Sequence, residues 1–226
     1  MDTNADNQAP WTQTKAMLGD RRLLLGPYFT YQLFNTPRRV LFALSHYKFA
    51  AKLIGTNKRI LEVGCSEGLG TLILAEFASE CLAIDTDVDA VKVAKEALES
   101  PRLQFRIADV CDGPFGEFDA VASFDVIEHI PQEQEEKFLC AIAANLAHDG
   151  MAILGTPNIT SDQYASPVTR SGHVNLFSAE RLQSFLDRFF RTVLIFSAND
   201  EMIHTGYTPL AYYLLGIGIG LKKPDA

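Results

Sequence analysis

Ile60-Leu61-Glu62-Val63-Gly64-Cys65-Ser66-Glu67-Gly68-Leu69-Gly70 is the stretch on which the fold of this chain turns. A run suited to a buried strand passes straight into a turn of small residues, and a helical pattern follows through Ala78. In an open α/β sheet a ligand sits beyond the carboxyl ends of the strands, and glycine at the first turn lets the backbone approach it. The spacing separates cofactor classes: a dinucleotide fingerprint reads G-x-G-x-x-G, whereas here glycines fall at 64, 68 and 70, after an acid at Glu62. That carboxylate would repel a pyrophosphate but accept hydrogen bonds from a ligand's ammonium group. A nicotinamide-dependent oxidoreductase is therefore disfavoured.

Outward from this stretch the chain alternates. Upstream, Thr36-Pro37 offers an N-cap and a proline at the first helical position, and Val40, Leu41, Leu44, Tyr47, Ala51 and Ile54 recur at helical spacing up to Gly55. A helix is expected over residues 37–54. Downstream, strands are expected at Arg59–Val63, Cys81–Ile84, Leu103–Ile107, Phe118–Phe124 and Met151–Leu154. Helices between them run through Ala78, through Glu99, and from Pro131 with Phe138, Leu139, Ile142 and Leu146 on one face. Such βαβα alternation implies a parallel sheet with helices on both faces, because parallel neighbours need crossovers. Past Pro157 a polar loop reaches Asn175, a helix opens at Ser178, and Phe189–Phe196 and Leu210–Ile219 follow with no crossover helix between them. These two read as an antiparallel terminal pair. The expectation is a Rossmann-like α/β domain over residues 37–226, with a mostly parallel seven-stranded sheet and an antiparallel terminal strand, preceded by an extension or lid over 1–36. Asp119, opening a strand, is read as a backbone cap.

Composition bounds the function. In 226 residues, 47% of them hydrophobic, there is room for one domain with a small appendage. A net charge of -8 argues against a groove that gathers nucleic-acid phosphates, and Arg21-Arg22 and Arg38-Arg39 are too short to reverse that. Cys65, Cys81, Cys111 and Cys140 form no CxxC pair, so reduced cysteines and no metal site are expected. Met1 to Trp11 lacks the pattern of a secretory signal. Leu210–Leu221, with its three glycines, is too short to span a membrane. A cytoplasmic protein is expected.

Two further acids close strands: Asp85, where a carboxylate can take both hydroxyls of a ribose, and Asp109, which can accept from an adenine amino group. Taken with Phe118-Asp119-Ala120-Val121-Ala122-Ser123-Phe124-Asp125-Val126-Ile127-Glu128-His129-Ile130 and Leu154-Gly155-Thr156-Pro157-Asn158, the chain from about Tyr47 to Asn199 resembles the class I S-adenosylmethionine-dependent methyltransferases. The resemblance is greatest to the small-molecule group that includes ubiquinone-biosynthesis and sugar or lipid enzymes. It implies that Glu62, Gly64, Ser66 and Gly68 hold the methionine part of S-adenosylmethionine, and that Asp85, with Thr86, holds the ribose. By the same resemblance Asp109 and Val110 flank the adenine, and Phe124 and Asp125 close the methionine side. Ser66 departs from the family's glycine at that position.

On the acceptor side, His129 either takes a proton from an acceptor hydroxyl, since imidazole titrates near ~6.5, or bonds a loop backbone. His173, in a loop with Arg170 and Asn175, either contacts the acceptor or ties the loop down. His46, His148 and His204 read as packing or surface residues. Tyr28 and Tyr31, in an aromatic stretch before the first helix, belong to a lid or to the core. No Asn-Pro-Pro-Tyr or Asp-Pro-Pro-Tyr follows Ser123, so a small-molecule, glycan or lipid-linked acceptor is preferred over a nucleic acid. A homo-oligomer is left open. The competing reading is a non-catalytic binding or assembly subunit on the same fold.

Overall fold

Apolar runs that are buried on both faces set the centre of the sheet. The computed structural model describes residues 3–20 and 22–222; Arg21 and the expected domain end at residue 226 lie outside the described residues. Three helices come first: α1 (Thr3–Leu18), α2 (Pro27–Asn35) and α3 (Pro37–Ile54). The alternating body follows as β1 (Lys58–Val63), α4 (Thr71–Phe77), β2 (Ala78–Asp85), α5 (Val88–Leu98), β3 (Leu103–Ile107), β4 (Phe118–Phe124), α6 (Glu135–Ala144) and β5 (Leu146–Pro157). It ends with α7 (Pro167–Gly172), α8 (Ala179–Leu186), β6 (Phe190–Ala198), β7 (Ile203–His204) and β8 (Tyr213–Leu221).

The sheet order is β3-β2-β1-β4-β5-β8-β6-β7. The first five strands are parallel, whereas β8 runs antiparallel between β5 and β6. Alternate residues of β1 feed two cores. Ile60 packs with Ala50, Leu74 and Val91 beneath α3, α4 and α5, and Leu61 and Val63 pack with Phe138, Leu139 and Ile142 of α6. Both faces are therefore covered, as a parallel sheet requires. Gly216 and Gly218 of β8 admit close packing: an added Cβ would lie 2.6 Å from Leu186 and 2.4 Å from Phe190.

The expected antiparallel pair is present, but the sheet has eight strands instead of seven. The extra one, β7, is two residues long and too short to carry a period. Leu146 opens β5 and is not in the preceding helix. Buried Asn145 ends that helix, its side chain accepting from Phe115 N at 2.6 Å and donating to Ala141 O at 2.8 Å. Ala78 likewise starts β2, and the segment after Pro131 makes a 3-10 turn before α6. The polar loop before Asn175 is ordered by a 3-10 helix, Ile159–Tyr164, capped by Asn158, and by α7, capped by Ser166. Asp119 caps as expected, accepting from Arg59 N at 2.8 Å. The cysteines are free, and among the described residues no helix is long and apolar enough to cross a membrane.

Candidate functional site

The carboxyl ends of β1, β2 and β4 meet around the glycine turn. Gly64 has φ +84° and Gly68 φ +78°, the left-handed region that side chains avoid. An added Cβ on Gly64 would also strike Val126 at 2.2 Å. Ser66 takes up φ +47° without a glycine's freedom. Its N–H donates to Asp85 Oδ2 at 2.7 Å, and Asp87 N donates to Asp85 Oδ1 at 2.9 Å. Asp85 thus shapes the turn first, keeping a further lone pair on each oxygen for a ligand. Thr86 is exposed beside it. Asp109 caps the short turn Val110–Asp112 through Cys111 N at 2.8 Å, and Val110 sends its side chain into the core.

Glu62 is completely buried, and neither carboxylate oxygen has a hydrogen-bond partner. Burial pushes its carboxyl up to about 7, and the nearby Thr71 and Tyr47 hydroxyls oppose the shift. An orphaned buried carboxylate is expensive. A ligand's ammonium at the end of β1 would relieve that cost, so these residues fit the methionine part of S-adenosylmethionine. Phe124 is buried with its ring centroid 4.5 Å from Tyr47. Asp125 follows at φ +55°, exposed on the cleft, with its N–H donating to Gly155 O at 3.0 Å. The protein crowded around it raises its carboxyl above the usual range, opposed by Tyr213 and His129.

Beyond β4 the structure brings His129 and His173 together, ring centroids 5.0 Å apart and edge to face. His129 Nδ1 lies 2.8 Å from Gly172 O, so the loop contact foreseen for it is made. Burial, then the neighbouring His129, lowers the pKa of His173. Buried Glu128 accepts from Thr156 Oγ1 at 3.0 Å, and its main-chain oxygen accepts from Val174 N and Asn175 N at 2.8 and 3.0 Å. Arg170 and Asn175 hold this loop in place. Arg170 donates to the carbonyls of Asp162 and Gln163, and Asn175 Nδ2 donates to Glu135 Oε2 at 2.9 Å. His46 is buried, His148 exposed and His204 part-buried, the last accepting from Gly206 N.

Tyr28 and Tyr31 sit on α2 and are exposed. Although much of the Tyr28 ring is exposed, protein packed around its hydroxyl raises that group's pKa, and Asp125 adds to the shift, which places the start of α2 within electrostatic reach of Asp125. Sequence reasoning missed what anchors it. Buried Glu67 accepts from Tyr28 N at 2.7 Å and Phe29 N at 3.0 Å, capping α2 where Gly26 has no side chain. An acid inside the ligand turn was the available signal. Also missed was Tyr213, buried, stacked on His46 at 4.1 Å, with no partner for its hydroxyl. Nothing in an apolar strand distinguishes it.

A family profile described as "Methyltransferase domain" matches residues 61–154. Over 146 residues the chain is 31% identical to the ubiquinone biosynthesis O-methyltransferase of Xanthomonas axonopodis pv. citri (strain 306), covering 61% of this chain and 60% of that one. It is 30% identical over 134 residues to a probable S-adenosylmethionine-dependent methyltransferase of Mycobacterium tuberculosis (strain CDC 1551 / Oshkosh), covering 58% of this chain and 47% of that one. The chain thus spans about three fifths or less of these relatives' lengths. Among solved structures, the N-methyltransferase NodS of Bradyrhizobium japonicum WM9 with S-adenosyl-L-homocysteine superposes with TM-score 0.61 at 18% identity, covering 84% of this chain and 91% of that one. The DhpI complex with S-adenosylhomocysteine gives TM-score 0.63 at 17% identity, covering 84% and 90%. At such identities the two structures establish the fold.

Proposed function

We propose that this chain, which carries a class I S-adenosylmethionine-dependent methyltransferase domain, transfers a methyl group to a small-molecule, glycan-precursor or lipid-linked acceptor. The observation that carries this reading is Glu62, a fully buried carboxylate with no partner at the head of the glycine turn. When bound, S-adenosylmethionine supplies an electrophilic methyl on a sulfonium sulfur, and the chain supplies alignment and exclusion of water. Glu62 receives the ammonium. Asp85 offers its remaining lone pairs to the ribose, with Thr86 alongside. Asp109 and the Val110 main chain border the adenine, and Phe124 and Asp125 close the methionine side. The extension before residue 37 acts as the lid, with Tyr28 and Tyr31 above the acceptor. His129, its Nδ1 engaged with Gly172, keeps a lone pair on Nε2 near Asp125, where it assists loss of the acceptor's proton. His173, across from it, faces the same acceptor.

Titration calorimetry of S-adenosylhomocysteine, with NAD as the control ligand, tests the reading. Binding of the first alone is expected. Asp85→Ala should weaken that binding by roughly 1.5–3 kcal/mol, because a charge-assisted hydrogen bond is lost. Tighter binding of NAD, or no binding of either ligand to folded protein, would replace the transferase with an oxidoreductase or a non-catalytic subunit.

A further inference from the structure

Ten of the 21 large hydrophobic side chains exposed among the described residues lie between Trp11 and Leu41. At the centre of that segment, α2 has no charged residue and no buried one. Tyr28, Tyr31 and Phe34 recur every third residue along one side of it, and Leu24 and Phe34 are 81% and 85% exposed. Exposed apolar surface gathered in one place marks a face that meets something. Charge identifies what. Residues 11–41 hold five cations and one acid, a net +4 in a chain of -8, so the remainder carries -12. Arg22, Arg38 and Arg39 are exposed, and none of the ion pairs among the described residues uses them. Thr36 N donates to Gln32 O and Arg39 N to Thr36 O, so α3 opens where α2 closes. The Arg39 guanidinium opposes the rise that packing and Asp125 impose on the Tyr28 hydroxyl, which puts it beside the aromatic side of α2. Arg38 and Leu41, three residues apart on α3, are exposed together.

We propose that Leu23, Leu24, Phe34 and Leu41, framed by Arg22, Arg38 and Arg39, form a face that docks the protein on an anionic lipid bilayer. Apolar side chains enter the headgroup region while guanidinium groups stay at the level of the phosphates, the chemistry of helices that lie in a membrane interface. The same membrane repels the remainder of the chain, so the charge asymmetry also sets which side faces it. A twofold contact between two copies would instead set these arginines against their own images. The consequence for the acceptor rests on the transfer reaction proposed above. Glu67, inside the glycine turn, holds the start of α2 through Tyr28 N and Phe29 N, so the docking face begins at the mouth of the cleft. An acceptor with an apolar tail then presents its polar head to the cofactor while the tail stays in the bilayer, which selects the lipid-linked class.

The experiment is flotation of the full-length protein with phosphatidylcholine vesicles, with and without phosphatidylglycerol, at low and high salt, and S-adenosylhomocysteine calorimetry in parallel. Binding to the anionic vesicles is expected, weakened by salt, with phosphatidylcholine alone bound much less. Arg38→Gln and Arg39→Gln should each weaken it about fivefold, and Phe34→Ser about tenfold or more. Lys52→Gln, at the far end of α3, should leave it unchanged. All four variants replace exposed side chains, so their Tm should match that of the wild type. Equal binding to both vesicle types, or equal binding by wild type and the Arg38→Gln and Phe34→Ser variants, overturns the surface. A concentration-dependent dimer that Phe34→Ser abolishes, with no vesicle binding, overturns it in favour of a second copy. S-adenosylhomocysteine binding without vesicle binding overturns it while leaving the transferase reading standing. Vesicle binding without S-adenosylhomocysteine binding supports the surface and removes the transferase reading.

Discussion

Ser66 occupies a backbone conformation that costs an L-residue about 1 kcal/mol or more, at φ +47°. The Ser66 N–H bond to Asp85 uses only the main chain, so Ser66→Gly should retain it and stabilise the protein by roughly 0.5–1 kcal/mol in urea unfolding. Glu62 governs a different response. Its carboxyl titrates at about 7, and pairing with an ammonium demands the charged form. Binding of S-adenosylhomocysteine should therefore release a proton below that pH, with affinity rising up to about tenfold per pH unit and levelling off above it. Calorimetry in buffers of different ionisation enthalpy reads the proton directly, and Glu62→Gln should flatten the profile. Both residues were legible because the strand, the acid and the small-residue turn are contiguous. The meeting of His129 with His173 was not, since it depends on how the loop after β5 folds back, and local periodicity carries no record of that.

At the level of elements, α2 depends on one borrowed cap. Gly26 brings no side chain, and Glu67 supplies the acceptor for two N–H groups from the far side of the turn. Glu67→Ala should destabilise this helix by about 1 kcal/mol and speed proteolysis between α1 and α3, with the body of the domain intact by circular dichroism. On the opposite flank, β8 is glycine-rich because α8 and Phe190 press against it. Gly218→Val should cost about 1–3 kcal/mol by overpacking, read as a lowered Tm. The central strand Phe118–Phe124 falls where its apolar run places it, since burial on both faces leaves a continuous signal, and the edge strand Leu103–Ile107 keeps its expected bounds with Leu103 and Phe105 turned inward. Element ends were less legible: Leu146 fits a helical face by spacing, but the side chain of Asn145 breaks the helix before it.

Across the whole molecule, two buried groups make acid stability a balance. His46 is buried with neither ring nitrogen partnered, and burial lowers its pKa to about 4. A histidine whose folded pKa is depressed contributes stability that is complete above about 6.5 and lost as pH falls towards 4, about 3 kcal/mol in all. Glu62, raised to about 7, works in the opposite sense: its contribution is complete below 4.5 and lost as pH rises through 7. Replacing His46 with phenylalanine should remove one side of this balance. The stability difference between His46→Phe and wild type should shift by about 3 kcal/mol in favour of the variant between pH 6.5 and pH 4, measured by urea unfolding at each pH. A difference independent of pH would contradict the buried neutral histidine. A packing role for His46 was one of the two readings its sequence allowed, but its unpartnered ring nitrogens, and so the pH balance, were not legible, because they depend on what the folded core places around that helical face.

The position of β8 between β5 and β6, although it follows both in the chain, bears on how the protein is made. As the polypeptide leaves the ribosome, the first five strands can assemble in parallel, but β6 emerges before the strand that must separate it from β5. Until β8 arrives, Leu194 and Phe196 belong to an unpaired strand edge, the kind of surface that joins one nascent chain to another. Tyr213, at the start of β8, arrives in the same event, so its stacking on His46 is completed last and only by a chain that has completed its sheet. Slow elongation over residues 199–221 would lengthen that interval, and chaperone demand during synthesis should rise with it.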